Sequence, residues 1–348
     1  MTQQELLARL AALRDTTPGL RLRDAAQALA VPEAALVDAG AAGTVRRLRP
    51  DWRALLEGML AVGRVMCLTR NEHCVHERHG RFEKVDVGEK VGLVLGPDID
   101  LRIFLDHWRH GYAVADRGPS GERLSIQIFD AYGTAVHKIY STSETDLPAF
   151  EALAAGLAAG APAEAPVFLP EPEAEQPRPD EVIDVAAFRA DWAGMRDTHE
   201  FFPLLRRHGV RRLQALRLAE PRFVTPVAPD ALRRLLEAVA ERALPIMVFV
   251  GSRGVIQIHS GPVRSLKVMG PWFNVLDPTF NLHLREDRIA SAWITRKPTD
   301  DGMVTALELF DARGETIAML FGTRKPGMPE REDWREEVER LAALERAA

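Results

Sequence analysis

Cysteine is almost missing from this chain: Cys67 and Cys74 are the only two in 348 residues. Two thiols do not make a disulfide framework, and their scarcity reads as a reducing, cytoplasmic setting. A basic excess is missing too. The 45 Lys and Arg face 50 Asp and Glu, for a formal net charge of −5. The electrostatic footprint of a nucleic-acid binder is therefore absent. No run approaches the ~18 apolar residues of a membrane span, so no membrane insertion is expected. The opening MTQQELLARL has no basic stretch leading into an apolar one, so no secretory leader is expected. No G-x-G-x-x-G follows a strand-like run, which argues against a nicotinamide or flavin site, and no G-x-S-x-G supplies a serine nucleophile. What is present is an ordinary globular composition, 46% apolar and 27% charged, which excludes global disorder.

The chain repeats itself. SIQIFDAYGTAVHKIY from Ser125 matches ALELFDARGETIAMLF from Ala306, and the shared Phe-Asp-Ala-x-Gly sets Phe129 against Phe310, 181 positions on. The same spacing sets Tyr112 against Trp293, Pro97 against Pro278, Gly80 against Gly261 and Met66 against Met247. With a one-residue slip, Leu13-Arg14-Asp15-Thr16 meets Met195-Arg196-Asp197-Thr198. Such agreement indicates a tandem duplication of a unit of domain size. Residues 1–159 form the first repeat and 182–348 the second. Between them, 160–181 carries Pro162, Pro166, Pro170, Pro172, Pro177 and Pro179 among acidic residues, which reads as an extended linker.

Each half runs from helical to strand-like patterns. ELLARLAALRD, FRADWAGMRDTHEFFPLLRRHG and DALRRLLEAVAERA carry apolar residues at helical spacing, with Asp230 a candidate N-cap. IMVFVGS, VIQIHSG, SLKVMG, NLHL, SAWITRK, ALELFD and TIAMLFG are short, β-branched or aromatic, and separated by hairpin-length gaps. EDWREEVERLAALERA closes the chain as a helix. The expected fold is α+β: a tandem duplication, each half a large antiparallel sheet with flanking helix pairs.

Positions where the halves differ are candidates for a site. His199 lies in Arg196-Asp197-Thr198-His199-Glu200-Phe201-Phe202-Pro203. On a helix it would share a face with Phe202 and could bind the metal of a flat apolar cofactor. On the residues alone, the plainer reading is a buried histidine bonded to a backbone carbonyl. Arg102 stands where the second half has His283, Lys297 ends a strand and Arg324 follows the last one. Asn71–His79 holds three His and one Cys, which are zinc-competent ligands. Strand alternation would split them between faces, so a metal site there is the weaker reading. His107 and His110 read as a solvated turn, with a surface heme or metal contact the lesser alternative; His208 reads as a helix C-terminal cation, with an alternate axial ligand the lesser alternative; Cys67 reads as an inert buried thiol.

Several motifs together resemble the cytoplasmic hemin-degrading factors, or hemin transport proteins, of bacterial heme uptake. They are Arg196-Asp197-Thr198-His199-Glu200-Phe201-Phe202, Asp100-Leu101-Arg102-Ile103-Phe104-Leu105, Trp293-Ile294-Thr295-Arg296-Lys297-Pro298-Thr299, and Glu308-Leu309-Phe310-Asp311 leading to Phe321-Gly322-Thr323-Arg324-Lys325-Pro326-Gly327. The resemblance covers nearly the whole chain. It implies heme as cofactor, His199 as proximal ligand and Arg102 on the distal side. It places Arg212, Lys297 and Arg324 around the propionates and pocket. Met319 and Phe321 stand where relatives often carry Gln and Tyr, which thins the polar network of the distal side.

Two functions follow from the resemblance. One is oxidative opening of the porphyrin with iron release, which needs an external electron donor because the chain has no electron-transfer domain. Arg102 would then be catalytic, as a permanent donor facing the iron. The other is a chaperone or store that hands heme to a separate heme oxygenase. The implied partners are a heme ABC transporter of the inner membrane, a heme oxygenase or a reductase. A duplicated binding module for another flat ligand is a third reading.

Overall fold

The structure, a computed structural model, describes residues 1–118, 121–160, 165–173, 176–324 and 327–347. Pro162 of the linker and Lys325-Pro326 of the last motif lie outside them. The described strands fall into two nine-stranded sheets, and every strand pairing with an established register is antiparallel. With the helices, this is the α+β class expected.

The chain divides into two compact units. The first comprises Met1–Arg70, Glu77–Pro172 and Ser252–Gln257; the second comprises Asn71–His76, Glu173–Gly251 and Ile258–Ala348. Each half thus contributes a short hairpin tip to the unit of the other. In the second unit, the Asn71 side-chain amide donates to the Ile317 carbonyl at 2.8 Å. In the first, the Trp108 indole donates to the Gly254 carbonyl at 3.1 Å.

Within the first unit the antiparallel run is Thr44–Leu48, His110–Gly118, Gly121–Phe129, Ala135–Thr145 and Gly63–Arg70. Within the second it is Val224–Val227, Ser291–Thr299, Gly302–Phe310, Thr316–Gly322 and Ile246–Gly251. The registers agree position by position: Tyr112 pairs with Gln127 as Trp293 pairs with Glu308. The strand Trp272–Leu276 also belongs to the second unit and was not among the sequence-expected strands.

The shared Phe-Asp-Ala-x-Gly motif has a physical explanation. Asp130 accepts from the backbone N–H of Tyr132 and Thr134, both at 2.9 Å. Asp311 accepts from Arg313 and Glu315 at 2.8 and 2.9 Å. The glycines supply the left-handed residue at φ 76° and 78°. A register shift precedes both turns, at Ile128/Phe129 and Leu309/Phe310.

The second unit packs other elements on both faces of its five-stranded run, burying one face more fully than the other. One face carries Ile246, Val248, Leu307, Leu309 and Leu320 against the helices Ala231–Glu241 and Glu332–Ala347. Asp230 holds the N-cap position of the first of these, but its carboxylate takes Arg234 at 3.0 Å instead of a backbone N–H. The other face meets a smaller cluster built on Phe188, Trp192, Phe201 and Phe310. The long helical pattern from Phe188 to Gly209 is not one helix. It breaks into Val185–Ala193, a single 3-10 turn Thr198–Glu200, and Phe201–His208. Pro203 sits in the first turn of the last helix, where its missing N–H costs nothing. Gly209 ends it at φ 63°.

Candidate functional site

His199 is carried by the 3-10 turn, not by the helix. Asp197 caps this turn, accepting from the His199 backbone N–H at 2.8 Å. The same carboxylate oxygen lies 2.7 Å from His199 Nδ1. The imidazole is 88% exposed, so it is not a buried structural histidine. Phe202 does not lie over it in a buried face either: Phe202 is exposed and Phe201 is buried. The backbone bond from His199 chiefly holds the Asp197 carboxyl below its ordinary range, with the His199 ring and the Arg324 guanidinium adding to it. A carboxylate on Nδ1 fixes the tautomer with Nδ1–H donating, which leaves Nε2 for a metal. Sequence reasoning missed this partner, although Asp two residues before His at a turn start is a capping signal.

The turn is held from below and from the side. Arg196 Nε donates to Asp300 at 2.9 Å, and Asp300 N donates to the Arg196 carbonyl at 2.8 Å. The buried Phe201 ring lies 4.8 Å from Trp192, whose indole donates to the Arg296 carbonyl at 3.1 Å.

Two of the expected basic residues meet over that ring. Lys297 Nζ stands 4.5 Å and Arg212 Cζ 5.1 Å from its centre. Both bind Glu308, at 2.6 Å each, and Thr295 Oγ1 donates to it at 2.8 Å. Glu308 is fully buried and held far below the ordinary carboxyl range by Arg212 and Lys297, against the opposing cost of burial. Lys297 is buried as well; burial lowers its pKa and Glu308 opposes that. It is therefore not a charge at an open rim, whereas Arg212 keeps 23% of its side chain exposed. Sequence reasoning quoted Glu308 only as part of a motif and gave it no role. The signal was a lone carboxylate inside the apolar run ALELF.

Registers put Trp293, Glu308, Met319 and Phe249 in one cross-strand row, with Phe321 and Met247 in the next. Met319, Phe321, Met247 and Phe249 are only half-buried, and the rings of Phe249 and Phe321 are 4.9 Å apart. Around this apolar strip, Trp293 Nε1, Thr323 Oγ1 and Arg324 Nη1 are buried with no hydrogen-bond partner among the described residues. Each such atom costs ~1–3 kcal/mol while unpaired. An apolar slot, cations beside it, orphaned donors and an oriented imidazole are what a heme plate with carboxylates and iron requires. The residues present fit the group.

Arg102 lies in the first unit, on Asp100–Phe104, where it alternates with buried Leu101 and Ile103. Its guanidinium binds Asp100 and the Leu101 carbonyl. His208 is bonded through Nε2 to Asp191 at 2.8 Å and packs on Phe188, a structural role. His110 is partly buried against Phe168, not solvated as its turn suggested. Cys67 is buried, and burial raises its pKa. Among the described residues no three His, Cys, Asp or Glu are grouped to hold a metal ion, and no helix is long and apolar enough to cross a membrane.

Comparison with known proteins gives a consistent picture. The model of the haemin-degrading HemS/ChuX domain matches residues 30–157 and 209–341. The hemin transport protein HemS of Yersinia enterocolitica is 42% identical over 330 residues, covering 93% of each chain. The heme-binding protein PhuS of Pseudomonas aeruginosa, in its holo crystal structure, is 48% identical with a TM-score of 0.94, over 98% of this chain and 99% of that one. ChuS, described as a heme degrading enzyme of Escherichia coli O157:H7, is 37% identical with a TM-score of 0.89 over the same shares.

Proposed function

Because the chain belongs to the haemin-degrading HemS/ChuX domain family, we propose that it takes up hemin in the cytoplasm and promotes opening of the porphyrin and release of its iron. His199 is the axial ligand, and Arg102 serves the opposite face. The observation that carries this reading is the exposed His199 imidazole, its Nδ1 committed to Asp197 and its Nε2 left for iron. Bound heme supplies the redox chemistry itself. The chain's own part is to bind and orient. Asp197 aims the imidazole, the Met319–Phe321–Phe249 strip excludes water from the plate, and Arg212 and Arg324 offer donors to the carboxylates. Electrons come from a separate reductase, and heme comes from or goes to partners such as an ABC transporter or a heme oxygenase.

A second reading, a chaperone that stores heme and passes it on, is favoured by Met319 and Phe321. They leave that part of the strip without polar donors. An absorption time course separates the two. One equivalent of hemin is bound, then ascorbate is added in air, with and without catalase. For the enzyme, the Soret band bleaches despite catalase while a bilin-like band grows, and Arg102→Ala slows this about 10–100-fold. Bleaching that catalase abolishes assigns the chaperone role. Absence of any Soret band on mixing rejects both.

A further inference from the structure

Glu308 accepts bonds from two cations. Among the described residues, Lys297 and Arg212 each form an ion pair with Glu308 and with no other carboxylate. The cluster of Arg212, Lys297 and Glu308 therefore carries one surplus positive charge beneath Phe201, where water gives it little screening. Arg212 spends only Nε on Glu308, so its two terminal nitrogens stay available on its exposed edge.

The first unit cannot build this cluster. Register and the 181-residue spacing put Gln127 where Glu308 stands and Asp116 where Lys297 stands. Gln127 donates to Ser125 at 3.1 Å. Lys138, at the Met319 position, is closed in an ion pair with Glu33 at 2.5 Å. Arg70 also acts on both partners of that pair, so the units differ not in charge balance but in how the cations are held, with Gln127 standing where Glu308 pins two of them.

We propose that Glu308 is a positioning residue: it pins Arg212 and Lys297 side by side, and their uncompensated charge selects ligands that bring a carboxylate into the second unit. The inference rests on the heme reading above and adds to it the group that sets carboxylate selectivity. Glu308 itself touches no ligand. A guanidinium held through Nε presents its two remaining nitrogens as a fork, the geometry a carboxylate matches best.

The test compares hemin with hemin dimethyl ester, which keeps the plate and iron but has no carboxylate. Both are titrated into the full chain and followed by the Soret band. The wild type is expected to prefer hemin by at least about tenfold. Glu308→Gln is expected to lose about tenfold in hemin affinity and none in ester affinity, with the Soret maximum unchanged. Removing one partner of a buried ionic cluster can prevent folding. Arg212→Gln, which leaves the Lys297–Glu308 pair intact, should abolish the same preference and keeps the test open. In a Glu308→Gln, Lys297→Met double variant the preference should stay lost, because Arg212 has no anchor. Equal losses for both ligands in a folded variant overturn the proposal. So does a preference retained in either single variant or restored in the double one. A wild type that binds both ligands equally through His199 overturns it while leaving the heme reading intact. If no Soret band depends on His199, the heme reading fails first.

Discussion

Replacing His199 with Ala is expected to lower hemin affinity by at least about 100-fold, about 2.7 kcal/mol, and to shift the Soret maximum. Folding should hardly notice. The side chain is 88% exposed and, among the described residues, its one side-chain partner is Asp197, so the change in stability should stay within about 0.5 kcal/mol. This separation of binding from stability is what distinguishes an iron ligand from a structural histidine. Asp197→Asn keeps the turn cap but weakens control of the tautomer, and about tenfold in affinity should be lost. Free imidazole added to His199→Ala should restore part of the original spectrum, since it can occupy the position the side chain left. A Soret maximum and affinity equal to wild type in His199→Ala would remove this residue from the iron and, with it, the main support for the functional reading.

The duplication was legible because it rests on local chemistry. An Asp that caps a turn and a Gly in the left-handed region must both be present, so Asp130/Gly133 and Asp311/Gly314 stand out in a bare sequence. Most strands from Ile246 to Gly322, Trp272–Leu276 excepted, were legible for a similar reason: alternation and turn residues are short-range signals. The exchange of hairpin tips was not. Nothing local in Asn71–His76 says that its Asn71 amide will cap carbonyls of Gly251 and Ile317, more than 170 residues away. The break after Ala193 was readable in part, since Pro203 belongs in a first helical turn and so places His199 ahead of the helix. Lys297 shows the limit most clearly. At the end of a strand and, by the resemblance, around the propionates, it suggested an open charge, yet register sets it on the face of Trp293 and Thr295, and its amine binds Glu308. Only the cross-strand neighbour decides whether such a lysine is solvated or paired.

The two units share a scaffold and diverge on the faces that matter. Glu308, Met319 and Phe321 of the second unit correspond by register to Gln127, Lys138 and Tyr140 of the first. The second face is apolar beside the Glu308–Lys297–Arg212 cluster; the first is polar, with Lys138 bound to Glu33. A scaffold made twice leaves one copy free to keep a ligand and the other to keep stability. Under the proposed reading, the second unit supplies the iron ligand and the apolar strip.

The same asymmetry yields a large pH effect on stability. His137 of the first unit is buried, and its Nδ1 lies 2.8 Å from the Thr69 hydroxyl. Its Nε2 has no hydrogen-bond partner among the described residues, and burial pushes its pKa down to about 3. An ordinary unfolded-state value is about 6.5, so the unfolded chain takes up the proton first. A depressed histidine leaves stability intact above pH ~6.5 and erodes it as pH falls from there toward 3. Between pH 7 and 5 this one group should cost about 2 kcal/mol. His73, His79 and His110 are shifted the same way by burial, so the wild-type slope contains their share too. The second unit shows how to isolate His137. At the corresponding positions it carries Val250 and Ala318, both buried and apolar. A Thr69→Val, His137→Ala variant copies that pair. It should lose stability at every pH through the cavity it opens, by about 2–4 kcal/mol. Its urea midpoint should also fall less steeply from pH 7 to 5 than that of the wild type, by the equivalent of about 2 kcal/mol. Parallel slopes in the two proteins would mean that His137 takes up its proton in the folded state as readily as in the unfolded one. The buried, neutral imidazole inferred here would then be wrong.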